Sequence, residues 1–161
     1  MEAMPTGIVL VNEAGQITMV NQHVARMFGH EPGTLLGQPV EILLPERFRS
    51  SHPAHVRTFF RSPTARAMGA GKDLSGLRKD GTEFFLEIGL APIHTPQGVR
   101  IVASIADITK RKQTESTLFR LQQAINHAQD GMALIDAAGE FTYMNPAYAS
   151  IYGHTVDQLR S

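Results

Sequence analysis

Residues 7–37 read GIVLVNEAGQITMVNQHVARMFGHEPGTLLG, and residues 131–161 read GMALIDAAGEFTYMNPAYASIYGHTVDQLRS. The two stretches align without a gap. Their spacing is too long for a solenoid unit, and it fits tandem domains of about 100 residues joined by a linker. The second copy ends at Ser161, so we expect the chain to be a fragment of a longer protein. Shared residues include Gly7, Leu10, Gly15, Thr18, Asn21, Ala25, Gly29, His30 and Leu35.

The first copy predicts two strands followed by short helices. GIVLV is an apolar strand, residues 12–15 form a turn, and QITMVN returns as a second strand. NQHVARMFG places its apolar residues on one helical face, with Gly29 suited to the C-cap. A second short helix opens at 31–34. A third apolar segment, broken at Pro45, leads into a helix that we expect to begin near Glu46 and to carry two histidines. Pro53 suits a first helical turn, which instead places His52 at the very start of the helix.

Beyond that helix the pattern changes to strands. The stretch KDLSGLRKDGTEFFLEIGLAPI, residues 72–93, reads as two strands around Asp80-Gly81, which is a strong hairpin signal. HTPQG is another turn, and VRIVASIADI is a last strand. The element order predicts an α+β domain with one antiparallel sheet and its helices on one face.

Composition excludes several classes of function. Fifteen basic residues balance fifteen acidic ones, so no net charge favours nucleic acid or an anionic membrane as partner. The chain has no cysteine, which excludes disulfides, thiolate nucleophiles and iron–sulfur clusters. No apolar run approaches the ~20 residues that span a bilayer, and no signal peptide opens the chain. We therefore expect a cytoplasmic module. No nucleophile–base pair, paired carboxylates or nucleotide motif indicates an enzyme.

A connector joins the two copies. Residues 109–128 lack glycine and proline, and Leu118, Leu121 and Ile125 form a short amphipathic stripe. This stripe either packs on its own sheet or serves as a signalling helix with a dimer contact. We expect three segments: a domain over 1–108, a connector helix over 109–128 and the first part of a second domain over 129–161. We also expect a homodimer.

Several quoted pieces together resemble the PAS family of sensory domains. They are GIVLVNEAGQITMVNQHVARMFGH, LLGQPVEILLPERFR, GLRKDGTEFFLEIGLAPI and SIADITKRK, where the Asp107-Ile-Thr109 ending precedes a charged helix. The resemblance covers nearly the whole chain. It implies a five-stranded antiparallel sheet that, with its helices, encloses a ligand or cofactor. It also implies a downstream output domain, such as a histidine kinase or a cyclic-di-GMP enzyme.

The histidine helix resembles that of haem-binding oxygen-sensor PAS domains, in the sensor kinases of nitrogen fixation and the oxygen-sensing phosphodiesterases. The family's proximal iron ligand falls on His52, and the resemblance implies haem b as a possible cofactor. Lys72 stands where both groups carry an arginine that steadies oxygen. The implied binding residues, besides His52, are Val56, Phe59, Met68, Lys72, Leu74, Leu77, Leu86, Ile88 and Ile101.

Other interpretations of His52 stay open. It can be a residue that simply starts a surface helix, in a PAS domain that binds no ligand and serves only dimerisation. With His55 and His94 it could instead hold a metal, although no acidic or cysteine ligand has zinc-like spacing.

Overall fold

A computed structural model describes residues 6–68, 73–96 and 98–159. It divides the chain into two compact units, one ending at Lys110 and the other beginning at Arg111. In the described part of the chain, no helix has both the length and the apolar character needed to cross a membrane.

The first unit is built on one antiparallel sheet. Strands β1 and β2 come first, and β3 to β6 follow the helices. Across the sheet the order is β2-β1-β6-β5, and both β3 and β4 pair with the outer edge of β5. The sheet therefore has five positions, the last shared by two short strands, which confirms the predicted α+β architecture. The strands are β1 Gly7–Val11, β2 Ile17–Val20, β3 Arg66–Ala67, β4 Leu74–Leu77, β5 Glu83–Thr95 and β6 Gly98–Asp107.

Between β2 and β3 the chain forms α1 Gln22–Phe28, α2 Pro32–Leu35, a 3₁₀ turn Val40–Leu43, α3 Glu46–Arg49 and α4 His52–Arg61. The expectation that the helix with both histidines begins near Glu46 is wrong, whereas the expectation that His52 opens the helix is confirmed. The cause is Pro53, which has no N–H and whose ring would clash with the carbonyl of Arg49 in a continuous helix. Proline is tolerated in a first turn, so a new helix starts at His52.

The core lies between the helices and alternate residues of the strands. Val9 pairs with Ala103, which pairs with Leu90. Paired residues face the same side of a sheet, so these three share the helix-covered face, called the inner face below. Phe28 of α1 meets Phe84 edge to face, with ring centroids 5.1 Å apart. The buried cluster comprises Val9, Val11, Ile17, Val24, Met27, Phe28, Leu35, Leu43, Phe84, Leu86, Ala103 and Ile105.

The second unit repeats the opening of the first. Helix α5, Thr109–Asn126, is followed by β7 Ala133–Ile135, β8 Phe141–Met144, α6 Pro146–Ile151 and α7 Val156–Leu159. The β7–β8 register slips between Leu134 and Ile135, as the β1–β2 register slips between Leu10 and Val11. The sequence repeat is therefore a repeat of backbone geometry.

The asparagine shared by both copies explains part of this repeat. Asn21 Oδ1 accepts the N–H of Ile8 at 3.1 Å and of Val24 at 3.0 Å, which caps α1 and pins β1. Asn145 does the same in the second copy. Its Nδ2 also donates to the carbonyl oxygens of Asp130 and Ile125, both at 2.9 Å. The end of α5 is thereby held by the repeated asparagine.

Candidate ligand site

Helix α4 presents His52, Val56 and Phe59 on one face, because residues four and seven apart along a helix lie above one another. The His52 side chain is only 17% exposed, Val56 is half-buried and Phe59 is buried. His55 is exposed. The structure thus separates the two histidines and turns only His52 away from solvent.

Glu41 holds His52 in place. The Glu41 Oε1 atom lies 2.8 Å from His52 Nδ1, and the carboxylate side chain is only 13% exposed. Glu41 belongs to the 3₁₀ turn, whose Val40 and Ile42 pack against the core. Sequence reasoning missed Glu41 because Glu41 and His52 are eleven residues apart, a spacing that no helical or strand periodicity relates.

Two further contacts fix this helical segment against the sheet. Arg47 of α3 forms a bidentate pair with Glu83 at the start of β5, at 2.5 and 2.6 Å. The hydrogen bond from Arg47 lowers the pKa of Glu83. At the far end of α4, the Arg66 guanidinium lies 5.2 Å from the centre of the Phe59 ring. The segment is therefore tied to β5 and to β3.

The sheet brings some of the expected lining residues together and separates one. Leu74 pairs with Leu86, and Ile88 pairs with Ile105. These residues, together with Ile101, lie on the inner face. Leu77 pairs with Glu83, so it faces the other side of the sheet and cannot line a site with Leu86.

Of the remaining two predicted residues, the structure describes Met68, which directly follows the edge strand β3. Met68 is half-buried, and its N–H donates to the carbonyl of Ile88 at 2.8 Å. Lys72 lies outside the described residues.

Burial varies along the inner face. Phe84 and Leu86 are buried, whereas Leu74, Ile88 and Leu90 are half-buried although they face the same side. Apolar surface that the protein covers only in part is typical of small-molecule sites. These strand residues and the face of α4 that carries His52 are therefore taken as the candidate ligand site.

Comparison with models of known protein families identifies the family of this chain. A family model described as PAS domain matches residues 5–110. The chain belongs to the PAS domain family. A second PAS model matches residues 120–161, so both copies of the repeat carry the family pattern.

Two curated PAS relatives are sensor proteins. The chain is 25% identical over 158 residues to the sensor protein FixL of Bradyrhizobium diazoefficiens, covering 98% of this chain and 29% of that protein. It is 21% identical over 158 residues to the oxygen sensor protein DosP of Escherichia coli, covering 98% of this chain and 20% of that protein. The chain therefore spans less than a third of either relative, and it is a PAS sensory domain similar to part of each.

Solved PAS domains share the fold. The PAS domain of an HTR-like protein from Haloarcula marismortui superimposes with a TM-score of 0.56 at 20% identity, over 66% of this chain and 84% of that one. A PAS domain from Colwellia psychrerythraea gives a TM-score of 0.56 at 22% identity, over 66% and 88%.

The end of the PAS sheet is tied to the core by Arg78. Its guanidinium lies 3.8 Å from the centre of the Phe84 ring, donates to the carbonyl of Met27, and pairs with Asp107 at 2.7 Å. Asp107 in turn accepts the N–H of Thr109 at 2.9 Å, at the first turn of α5. Burial alone would raise the pKa of Asp107, but its bonds from Thr109 and Arg78 lower it overall. The first turn of α5 is thereby joined to the packed interior of the first unit.

A metal site made of three histidines is not supported by this PAS domain. His55 and His94 are both exposed, while His52 faces the interior. Among the residues that the structure describes, no group of three or more histidine, aspartate or glutamate side chains is arranged to hold a metal ion.

Proposed function

We propose that the PAS domain over residues 1–108 senses a diatomic gas through haem b, with His52 as the residue that would bind the iron. The observation that carries this proposal is the half-buried His52, which Glu41 holds on the same face of α4 as Val56 and Phe59. His55, one turn away, meets solvent instead.

The residues at this site fit a haem chemically. A neutral imidazole is the usual proximal ligand, and an apolar pocket controls access to the iron. When bound, haem would supply an iron centre that coordinates a gas molecule. Similarity to an oxygen sensor protein supports this assignment. The apolar wall would comprise Val56, Phe59, Met68, Leu74, Leu86, Ile88 and Ile101, with Lys72 as a further candidate.

The module is proposed to act without catalysis of its own. Its state would pass along the connector helix, residues 109–128, to the second PAS segment, residues 129–161. From there it would reach an output domain of the histidine kinase or cyclic-di-GMP class. The link from Phe84 through Arg78 and Asp107 to the first turn of α5 supports this route. We further propose a cytoplasmic homodimer that contacts neither nucleic acid nor membrane.

Absorption spectroscopy of the haem-reconstituted protein tests the proposal. Wild type should show a Soret band, His52→Ala should lose it or bind haem much more weakly, and His55→Ala should match wild type. His55→Ala is the matched control, because it removes the same group from the exposed face of the same helix. Haem retained in His52→Ala and lost in His55→Ala would overturn the assignment of His52.

A second function is favoured by the packing around Gly76. A Cβ there would meet Phe84, Leu86 and Phe28 side chains at 2.9–3.0 Å, so this part of the interior is filled by the protein itself. A PAS domain filled in this way would serve dimerisation alone. Wild type that dimerises but takes up no haem would favour this alternative.

A further inference from the structure

We propose that Glu41 is a positioning residue that fixes the tautomer of His52, with the proton on Nδ1 and the lone pair on Nε2. Nothing in the sequence pattern or in the family comparison assigns a role to Glu41. Only the last consequence of this inference, its effect on haem, rests on the proposed function.

For an ionised carboxylate and a neutral imidazole, the pair has one hydrogen-bond arrangement. An ionised carboxylate only accepts, so at 2.8 Å the His52 Nδ1 atom must donate. A neutral imidazole carries one N–H and one bare nitrogen. With the proton on Nδ1, Nε2 is the bare nitrogen, and it is the atom able to coordinate iron.

Glu41 is itself held on a rigid support. The N–H of Val40 donates to the carbonyl of Gly15 at 2.9 Å, and the N–H of Leu44 donates to the carbonyl of Glu41 at 3.0 Å. Leu43, between them, is buried in the core cluster. The carboxylate is therefore presented to His52 by backbone that the core fixes, so the imidazole is ordered before any ligand arrives.

A carboxylate that is hydrogen-bonded to a metal-binding histidine also changes the properties of that histidine. Such partners set the ring orientation and raise the basicity of the nitrogen that binds the metal. A more basic imidazole strengthens the iron–nitrogen bond and lowers the reduction potential of the iron. Glu41 would thus set both the geometry and the electronic character of the site.

Nitrogen NMR of the haem-free protein tests the tautomer directly. With ¹⁵N-labelled histidine, wild type should show the His52 proton on Nδ1 near neutral pH. Glu41→Gln, whose amide can donate as well as accept, should lose this preference, while Glu46→Gln should keep it. Glu46 is a matched control because it is an exposed carboxylate in the neighbouring helix α3. A wild-type proton on Nε2, or an unchanged spectrum in Glu41→Gln, overturns the inference.

Haem titration then separates this inference from the proposed function. Glu41→Gln should weaken haem binding about tenfold or more and lower the iron–histidine stretching frequency, while Glu46→Gln should change neither. If wild type binds haem through His52 and Glu41→Gln alters neither quantity, the role of Glu41 fails and the haem function stands. If wild type takes up no haem but the NMR result holds, the haem function fails and the tautomer assignment stands.

Discussion

At the scale of single residues, the protein depends on small groups at points of close approach. Gly76 of β4 lies where three side chains of the core converge, and Gly7 of β1 lies where the Val24 side chain would stand only 2.8 Å from an added Cβ. At both positions a larger residue would collide with neighbouring side chains, so glycine is needed there. Gly33, in contrast, has no atom within 4 Å of an added Cβ and no left-handed backbone.

We expect Gly76→Ala to destabilise the first unit by about 1–3 kcal/mol, because an added methyl must displace Phe84 and Leu86 from a packed core. Gly33→Ala should change stability by less than about 1 kcal/mol, since it adds the same methyl in open space. Urea denaturation of both variants measures the difference. Equal stability in the two variants would contradict the close packing around Gly76.

At the scale of elements, α5 is the longest described helix, and none of its residues is buried. Leu118 is 61% exposed, Phe119 is 61% exposed and Leu121 is 55% exposed. An apolar stripe that the second unit itself leaves uncovered is consistent with the proposed dimer contact.

Replacing both Leu118 and Leu121 by glutamate should raise the dimer dissociation constant by at least about tenfold for each substitution. Each substitution removes an apolar contact of roughly 1.5–3 kcal/mol and adds a charge to the seam. Sedimentation equilibrium over a range of concentrations gives the constant. Thr117→Glu with Gln122→Glu adds the same charge at neighbouring positions and serves as control. A double leucine variant that dimerises like wild type would remove α5 from the interface.

At the scale of the whole molecule, the two units differ in how far their sheets are built. In the first, β6 lies between β1 and β5 and covers the edges of both. In the second, the described strands form a two-stranded sheet, and Leu134, Ile135 and Ile151 are each more than 60% exposed. A two-stranded sheet by itself is marginally stable in water.

Limited proteolysis should therefore cut within residues 109–161 before it cuts within 74–105. Backbone in the central strands of the first unit is held by pairing on both sides and opens only with the whole unit. Mass spectrometry of early time points identifies the sites. Early cleavage within 74–105 would contradict the proposed division into a complete first domain and a less stable second segment.

Local chemistry determined much of the fold. Apolar stretches bounded by turn residues predicted the long strands, and Asp80-Gly81 predicted the hairpin that joins β4 and β5, where Gly81 has a φ of 87°. Gly29 was predicted to end α1, and it does so with a φ of 72°. These features depend on neighbours in the chain, so the amino-acid sequence alone specifies them. Together they were sufficient to predict the α+β architecture, whereas the family was identified from the resemblance of longer stretches of sequence.

Tertiary structure decided the rest. Strand β3 is too short to show a periodic pattern of apolar residues in the sequence. It forms because β5 offers an unpaired edge. Leu77 was expected to line the site, but its pairing with Glu83 sets the face on which it lies. The inward orientation of His52 and its bond to Glu41 likewise depend on how the 3₁₀ turn packs on the core. Pairing register and packing join residues distant in sequence, and local periodicity carries no information about such pairs.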